Sequence, residues 1–299
     1  MPLVSMNQML ARARAEGYAV CYCESWNLES LQAVVAAAQE IDAPIIAGFN
    51  GGFLGHTSRA RPECVAYYGA IAAALQRSPV PLAFILNETD DEEQIEAGLE
   101  AGFNAVMVEG DSLGAEQYEQ LVKRVVRMAH SRNVSVEGQV GRLPHGSEGS
   151  NGSGELTDPD RAKAFVERTG VDALGVSVGN VHILTSGKAA IDFSILSRIR
   201  EAVDIPLVIH GGTGFPAEAA AHAISLGVAK FNFGTTLKQV YLAALRKKLD
   251  GYAEPMNPHP FLGMGGEQDM LLAAREAVKR RVIQLIQTYG FARRAVDRV

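Results

Sequence analysis

The chain has 299 residues, of which 47% are hydrophobic and 21% are charged, and its formal net charge is −6. This composition is typical of a globular protein with a large core, and the absence of a basic run argues against nucleic-acid binding. The sequence contains neither a signal-peptide pattern nor an apolar run long enough for a membrane span, and its three cysteines favour a reducing cytoplasm over a disulfide framework.

Strand and helix patterns alternate from one end of the chain to the other. Short apolar runs predict strands at 18–24, 44–50, 82–88, 105–109, 135–141, 173–179, 206–211 and 230–234. Amphipathic segments predict helices at 28–41, 62–76, 92–101, 115–131, 160–169, 193–203, 216–226 and 237–249. Eight βα units without a break in composition predict an α/β fold, a single (β/α)8 TIM barrel over residues 1–299. A doubly wound open sheet is the rival, but no dinucleotide-binding glycine pattern follows the first strand.

Three segments lie outside this repeat. An extra N-terminal helix at about 6–16 is expected to cap the bottom of the barrel, and a long C-terminal helix at about 270–289 is expected to pack on the barrel or on another subunit. Segment 142–157, after strand five, is rich in small and polar residues without periodicity. It is either a tolerated insertion or a mobile lid that could carry His145 and Glu148 to the active face.

Three side chains at strand ends form a candidate metal site. Glu88 ends strand three, His182 lies just past strand six, and His210 ends strand seven. The carboxyl ends of parallel barrel strands open into one cavity, so these side chains are expected to meet there. Two imidazoles and a carboxylate can hold a divalent metal with a position left open. A lone histidine would more often be an ordinary hydrogen-bonded side chain, but two at matched positions favour the metal site.

Two glycine- and threonine-rich segments form a candidate anion site. Gly211, Gly212 and Thr213 follow strand seven, and residues 232–236 (Asn-Phe-Gly-Thr-Thr) follow strand eight. Loops at these two places in a barrel often hold phosphate with the help of a helix N-terminus. The alternative is that the threonines only cap the following helix.

These residues stand in a pattern that resembles the class II, metal-dependent fructose-bisphosphate and tagatose-bisphosphate aldolase family over nearly the whole chain. The matching segments include 27–29 (Asn-Leu-Glu), 170–174 (Gly-Val-Asp-Ala-Leu), 206–214 (Pro-Leu-Val-Ile-His-Gly-Gly-Thr-Gly) and 230–232 (Lys-Phe-Asn). The resemblance implies that His182 and His210 bind metal. It also implies that Gly179, Gly211, Gly212, Thr213, Asn232, Gly234 and Thr235 belong to the substrate and phosphate site.

The departures from the family pattern cluster at the mouth of the expected barrel. Family members carry His-Leu-Asp-His at the end of strand three, where this chain has Ile85-Leu86-Asn87-Glu88. Asn87 therefore occupies the catalytic acid/base position but cannot exchange a proton, which typically costs about 10²–10⁴-fold in rate. Glu88 replaces a metal-binding histidine, and carboxylate remains a good ligand for zinc, manganese or iron.

Further departures affect the same region. Strand one ends in Cys23-Glu24 instead of Phe-Asn, Phe49 replaces a phosphate-binding serine, Gln139 replaces a glutamate, and Gly234 replaces an aspartate. Glu24 could supply the proton-carrying group that Asn87 lacks. Glu148 aligns with the glutamate of the family's mobile loop, which shuttles the proton of the donor half.

The resemblance and the departures together predict a re-specialised aldolase-like lyase. It would cleave or form a C–C bond in an anionic keto-sugar-type substrate through a metal-stabilised enediolate, with zinc as the expected metal and manganese or iron as alternatives. Two other functions remain open: a different metal-dependent isomerase or lyase, and a non-catalytic sugar-phosphate-binding relative. The family also implies a homo-oligomer, a dimer or a tetramer.

Overall fold

The centre of the protein is a closed barrel of eight parallel strands. The computed structural model describes residues 3–146 and 154–290. Each strand pairs with its sequence neighbours, and β8 pairs with β1 to close the ring. The strands are β1 (Val20–Ser25), β2 (Ile45–Asn50), β3 (Leu82–Thr89), β4 (Ala105–Val108), β5 (Ser135–Val140), β6 (Ala173–Val176), β7 (Leu207–Ile209) and β8 (Val228–Phe233). The predicted TIM barrel is confirmed, and the open doubly wound sheet is wrong.

Helices connect the strands and surround the barrel. They are α1 (Met6–Glu16), α2 (Leu28–Glu40), α3 (Gly51–Leu54), α4 (Val65–Gly69), α5 (Ala72–Leu75), α6 (Glu92–Ala101), α7 (Ala115–His130), α8 (Pro159–Thr169), α9 (Phe193–Ala202), α10 (Ala220–Ser225), α11 (Thr235–Leu249) and α12 (Met270–Leu285). Within the described ranges, no helix is both long enough and apolar enough to cross a bilayer.

The N-terminal helix α1 closes the bottom of the barrel, as predicted. Its residues Met6, Met9 and Leu10 pack into the cluster that fills the barrel interior, and all three are buried. The same cluster contains inward-facing residues from the strands, such as Val20 and Ala229 near the start of β1 and β8. Because α1 covers this end, a ligand site in the barrel is expected at the opposite, carboxyl end of the strands.

The C-terminal helix α12 lies on the outside of the barrel, between α2 and α11. Its buried residues are Ala274, Val278, Val282 and Leu285, which form one helical stripe. A π-helical turn (Ile286–Gly290) follows, and the Tyr289 hydroxyl in it donates to the Phe215 carbonyl at 2.7 Å. Of the two expected positions, on the barrel or on another subunit, the structure shows packing on the barrel of the same chain.

Two predicted helices are shorter in the structure. Residues 62–76 form the short helices α4 and α5 because Gly69 ends the first of them, where it packs so tightly on α6 that an added Cβ would lie 2.4 Å from the Ala101 Cβ. Residues 216–226 begin with a 3-10 turn (Ala217–Ala219), which leaves six residues for α10.

Candidate active site

A cavity of about 310 Å³ lies at the carboxyl ends of the strands. The candidates Glu24, Glu88 and His182 line it. So do five residues of the predicted anion site, namely Gly211, Thr213, Asn232, Gly234 and Thr235. A larger cavity of about 630 Å³ lies beside α1 at the bottom of the barrel and holds none of the predicted site residues. The smaller cavity is therefore the candidate active site.

The end of β3 places two consecutive side chains on the inner side of the barrel. Ala83 and Ile85 face the barrel interior, and strand alternation places Asn87 on the same side. Glu88 would face outward in a regular strand, but its φ of 53° and a register shift between Leu86 and Thr89 turn it inward as well. A left-handed backbone at a residue other than glycine costs free energy and is often found at functional sites.

Glu88 contacts both candidate histidines. One of its carboxylate oxygens, Oε1, lies 3.3 Å from His210 Nδ1 and 3.7 Å from His182 Nε2. The other oxygen, Oε2, accepts a hydrogen bond of 2.6 Å from the Asn50 amide. His210 is anchored through its backbone carbonyl, which accepts from the Asn180 amide at 2.9 Å. The three predicted metal ligands thus lie together, although they come from distant parts of the chain.

Two buried charged residues, Glu137 and Lys230, lie below His210 and hold its side chain in place. Glu137 on β5 is fully buried and accepts from His210 Nε2 at 2.7 Å, and its other oxygen accepts from Lys230 Nζ at 2.6 Å. Burial opposes the charge of Glu137, but Lys230 and His210 outweigh it and lower the pKa of this carboxyl group. His210 is thereby held in one orientation, with Nδ1 toward Glu88.

The charges in this cluster depend on one another. Burial alone would lower the pKa of His210, but its hydrogen bonds to Glu137 and Glu88 raise it to about 9. Burial likewise opposes ionisation of Glu88, whereas the hydrogen bond from His210 and the nearby His182 lower the pKa of this carboxyl group. Burial lowers the pKa of His182, against the attraction of Glu88. Glu88 is consequently a carboxylate, with an acceptor oxygen facing the histidines.

The donor set can be compared with what a divalent metal needs. Two donors on one tetrahedral metal are about 3.3–3.6 Å apart when each bond is about 2.0–2.2 Å. The two measured spacings from Glu88 are close to this range. The Glu137–His210 hydrogen bond is of the kind that orients metal-binding histidines. As they stand, however, no three His, Cys, Asp or Glu side chains within the described ranges have the arrangement of a formed metal site. The residues therefore fit a divalent metal in donor type, whereas their present arrangement is that of a hydrogen-bonded cluster.

Asn87 and Glu24 have different surroundings. Asn87 is fully buried and does not line the cavity. Among the described residues its amide has no hydrogen bond of ordinary geometry, although it favours the charged form of Glu88. Glu24 lines the cavity and pairs with Lys238, whose Nζ also lies 4.3 Å from the centre of the Phe53 ring. Burial raises the pKa of Glu24 despite Lys238.

The anion candidates form a cradle around one wall of the cavity. Gly211 has a φ of 70°, and an added Cβ would lie 2.1 Å from the Val181 carbonyl oxygen, so only glycine fits. The Thr213 hydroxyl accepts from the Thr236 amide at 3.3 Å and thus ties the loop after β7 to the start of α11. Gly179 and Gly212 are not among the cavity-lining residues: Gly179 is packed against the Ala190 backbone, and Gly212 against the Phe233 ring and the Asn232 carbonyl.

The loop after β5 reaches the same site. Arg142 and Glu155 pair at its base, and His145 forms a backbone bridge to His182. The two imidazole rings are 5.2 Å apart at their centres. Glu148 lies outside the described residues, so its predicted role and that of the lid stay predictions.

Several residues of the site had no role assigned from the sequence. Asn50, Glu137 and Lys238 contact predicted site residues, and Lys230 contacts Glu137. Glu137 and Lys230 could have been recognised, because a charged residue within an apolar strand must have a partner in the barrel. Asn50 lies at the end of β2, and no comparable feature of the sequence indicated that it belongs to the site.

Comparison with known proteins agrees with this architecture. The family model "Fructose-bisphosphate aldolase class-II" matches residues 4–294. Among solved structures, the YdjI aldolase from Escherichia coli K12 is 30% identical, with a TM-score of 0.78, and the alignment covers 98% of this chain and 99% of that one. A fructose-bisphosphate aldolase from Campylobacter jejuni, 20% identical with a TM-score of 0.76 and coverage of 96% and 95%, shares the fold. The chain therefore belongs to the class II fructose-bisphosphate aldolase family and is an aldolase-like lyase.

Proposed function

We propose that this protein is a metal-dependent aldolase that cleaves or forms a C–C bond in a phosphorylated or otherwise anionic keto-sugar-type substrate. The observation that carries the proposal is the inward turn of Glu88, which brings its carboxylate to both His182 and His210. These three residues would hold a divalent metal, zinc in the first instance and manganese or iron as alternatives. When bound, the metal would supply a Lewis acid that withdraws electrons from the substrate carbonyl.

The chain's own residues would position the substrate around this point. The backbone at Gly211 and Thr213 and the start of α11 would hold the anionic end, since amides and a helix N-terminus attract negative charge. Asn232 and Gly234 line the same cavity as Glu88. Lys238 adds a positive charge on the same wall, although Glu24 now neutralises it.

Proton transfer is assigned to residues other than Asn87. An amide cannot exchange protons at neutral pH, so Asn87 would serve only to orient its neighbours. Glu24 is the candidate acid/base inside the cavity, and its connection to Glu88 runs through hydrogen bonds with Asn50. Glu148 is the candidate shuttle for the donor half of the substrate.

Metal analysis of the purified protein tests the first part of this proposal. We expect about one divalent ion per chain in the wild type and loss of that ion in His210→Ala. His259→Ala is the matched control, because His259 is exposed in a 3-10 turn away from the site. Retention of metal and activity in His210→Ala would show that the assigned site is wrong.

Cleavage assays with fructose 1,6-bisphosphate and tagatose 1,6-bisphosphate test the substrate. We expect little activity on either, because Asn87 cannot carry a proton. Phe49, expected from the sequence to replace a phosphate-binding serine, packs against Tyr68 and Phe84 and does not line the cavity, so it adds no second reason. Rates equal to those of an ordinary class II fructose-bisphosphate aldolase, measured side by side, would contradict the re-specialisation.

The family membership also supports a homo-oligomer. Sedimentation velocity would determine whether it is the expected dimer or tetramer, and a monomer at micromolar concentration would refute the expectation.

A further inference from the structure

Tyr22 is a buried tyrosine whose hydroxyl lacks a partner. It lies on β1, lines the 310 Å³ cavity and is only 1% exposed. Among the described residues no atom forms a hydrogen bond with its hydroxyl. Buried hydroxyls are nearly always bonded, and other tyrosines here follow that rule: Tyr118 donates to Val108 and Tyr289 donates to Phe215. The exception at the active site calls for an explanation.

A second unpartnered atom lies beside it. Tyr22 and Asn232 are paired positions on the adjacent strands β1 and β8. The Asn232 amide nitrogen lies 3.1 and 3.2 Å from the two ring nitrogens of His210, but its carbonyl oxygen has no partner in the described structure. Tyr22 and Asn232 therefore each hold a buried polar atom that forms no hydrogen bond with the described residues, side by side in the lining of the cavity.

The surroundings keep Tyr22 in the donor form. Burial, together with the negative charges of Glu24 and Glu88, raises the pKa of the phenol well above its ordinary value. The Lys230 ammonium lies 5.1 Å from the centre of the ring and is itself held by Glu137, so it does not compete for the hydroxyl. A neutral phenol in this place can donate a hydrogen bond to an oxygen atom that enters the cavity.

We propose that Tyr22 is a substrate-contacting residue whose hydroxyl donates a hydrogen bond to a substrate oxygen next to Glu88 and His210, while the Asn232 side-chain amide makes a second hydrogen bond to the substrate. The pair would recognise a ketone that carries a hydroxyl group beside its carbonyl. This inference rests on the proposed function, because the substrate must be anchored in the same cavity. The sequence analysis assigned no role to Tyr22.

Binding of dihydroxyacetone phosphate, the smallest phosphorylated ketone with a neighbouring hydroxyl, tests the inference in the metal-loaded protein. We expect Tyr22→Phe to bind it about 3- to 10-fold more weakly by calorimetry, the range of one net hydrogen bond. Affinity for inorganic phosphate should not change, because phosphate alone occupies the cradle. Exchange of the substrate's C–H protons with D2O, followed by NMR, should slow in the same variant.

Tyr289→Phe provides the matched control. It removes the same atom from a buried tyrosine that does have a partner, so it should lower the melting temperature without changing ligand affinity. Tyr22→Phe should do the reverse and leave the ligand-free melting temperature unchanged or raised.

The outcomes separate the two proposals. Equal binding and exchange in Tyr22→Phe and wild type would overturn this inference alone. The Tyr22 hydroxyl would then donate its hydrogen bond to a buried water molecule and not to the substrate. If the wild type bound neither phosphate nor dihydroxyacetone phosphate, the proposed function would be wrong and this inference would fall with it.

Discussion

At the scale of single residues, the site is organised by a chain of buried charges. Lys230, Glu137, His210 and Glu88 alternate in sign, and each contacts the next at 3.3 Å or less. In a barrel interior a charge without a partner costs several kcal/mol, so each member depends on its neighbours. This row of charges thereby fixes the positions of His210 and Glu88 before any ligand binds.

This dependence can be measured at Lys230. Lys230→Met leaves Glu137 buried with only His210, and we expect it to lower the free energy of unfolding by about 3–5 kcal/mol. The double variant Lys230→Met/Glu137→Gln should lose less than the single variant, because it leaves no unpaired charge. Urea denaturation gives both values.

The control is an ion pair of equal length at the surface. Lys188 and Glu218 are also 2.6 Å apart, but both are about two-thirds exposed. Lys188→Met should therefore cost only about 0–1 kcal/mol. Equal losses at Lys230 and Lys188 would contradict the account of burial given above.

Glu109, just after β4, makes a separate prediction about pH. Burial, with the charges of Asp111 and Glu88, raises the pKa of this carboxyl group to about 7. A raised pKa in the folded state means that its stabilising contribution is complete below pH 4.5 and is lost as the pH rises through 7. With rising pH, the free energy of unfolding of Glu109→Gln should fall by about 1–3 kcal/mol less than that of the wild type. This is less than the full pKa shift implies, because the side chain is partly exposed. Urea denaturation of both proteins at pH 5 and pH 8 checks it, and identical pH profiles would exclude this role.

The residue types at the site were predictable, whereas their mutual contacts were only partly so. His182, His210 and Glu88 follow from their positions at strand ends. The inward turn of Glu88 does not, since strand alternation alone would place either Asn87 or Glu88 outside the barrel. The left-handed φ of Glu88 leaves no mark in the local sequence.

At the scale of elements, α1 closes the bottom of the barrel. Its buried methionines and Leu10 fill the end that the strands leave open. Leu10→Ala should lower the free energy of unfolding by about 2–5 kcal/mol, the usual cost of a cavity in a core. Metal content and ligand affinity should stay unchanged because the site is at the other end. Loss of metal in this variant would show that the two ends are coupled.

The helices also show where the periodic spacing of apolar residues is sufficient to predict a helix and where it is not. Helices with a strong apolar stripe, such as α7, or with a side-chain N-cap, such as α8 with Asp158, lie close to their predicted positions. Residues 62–76 have the apolar pattern, but the close packing of Gly69 against α6 divides the helix. Tertiary contacts of this kind override local preference.

At the scale of the whole molecule, closure of the barrel determines which residues meet. Eight βα units predict closure, and closure brings the ends of β3 and β7 to one cavity although 122 residues separate Glu88 from His210. The fold was therefore predictable from the repeat alone. The number of subunits was not, because it depends on surface complementarity that no repeat encodes.

A metal on these strand ends would tie the barrel together across its mouth. Ligands that bind only the folded state add stability, by about 2.7 kcal/mol at a hundredfold excess over Kd. For a protein of this size, removal of the ion by a chelator should lower the melting temperature by roughly 5 °C. Zinc added in excess should restore it. The melting temperature of His210→Ala should not change with the chelator. If the melting temperature of the wild type did not change either, no metal would be bound at these strand ends.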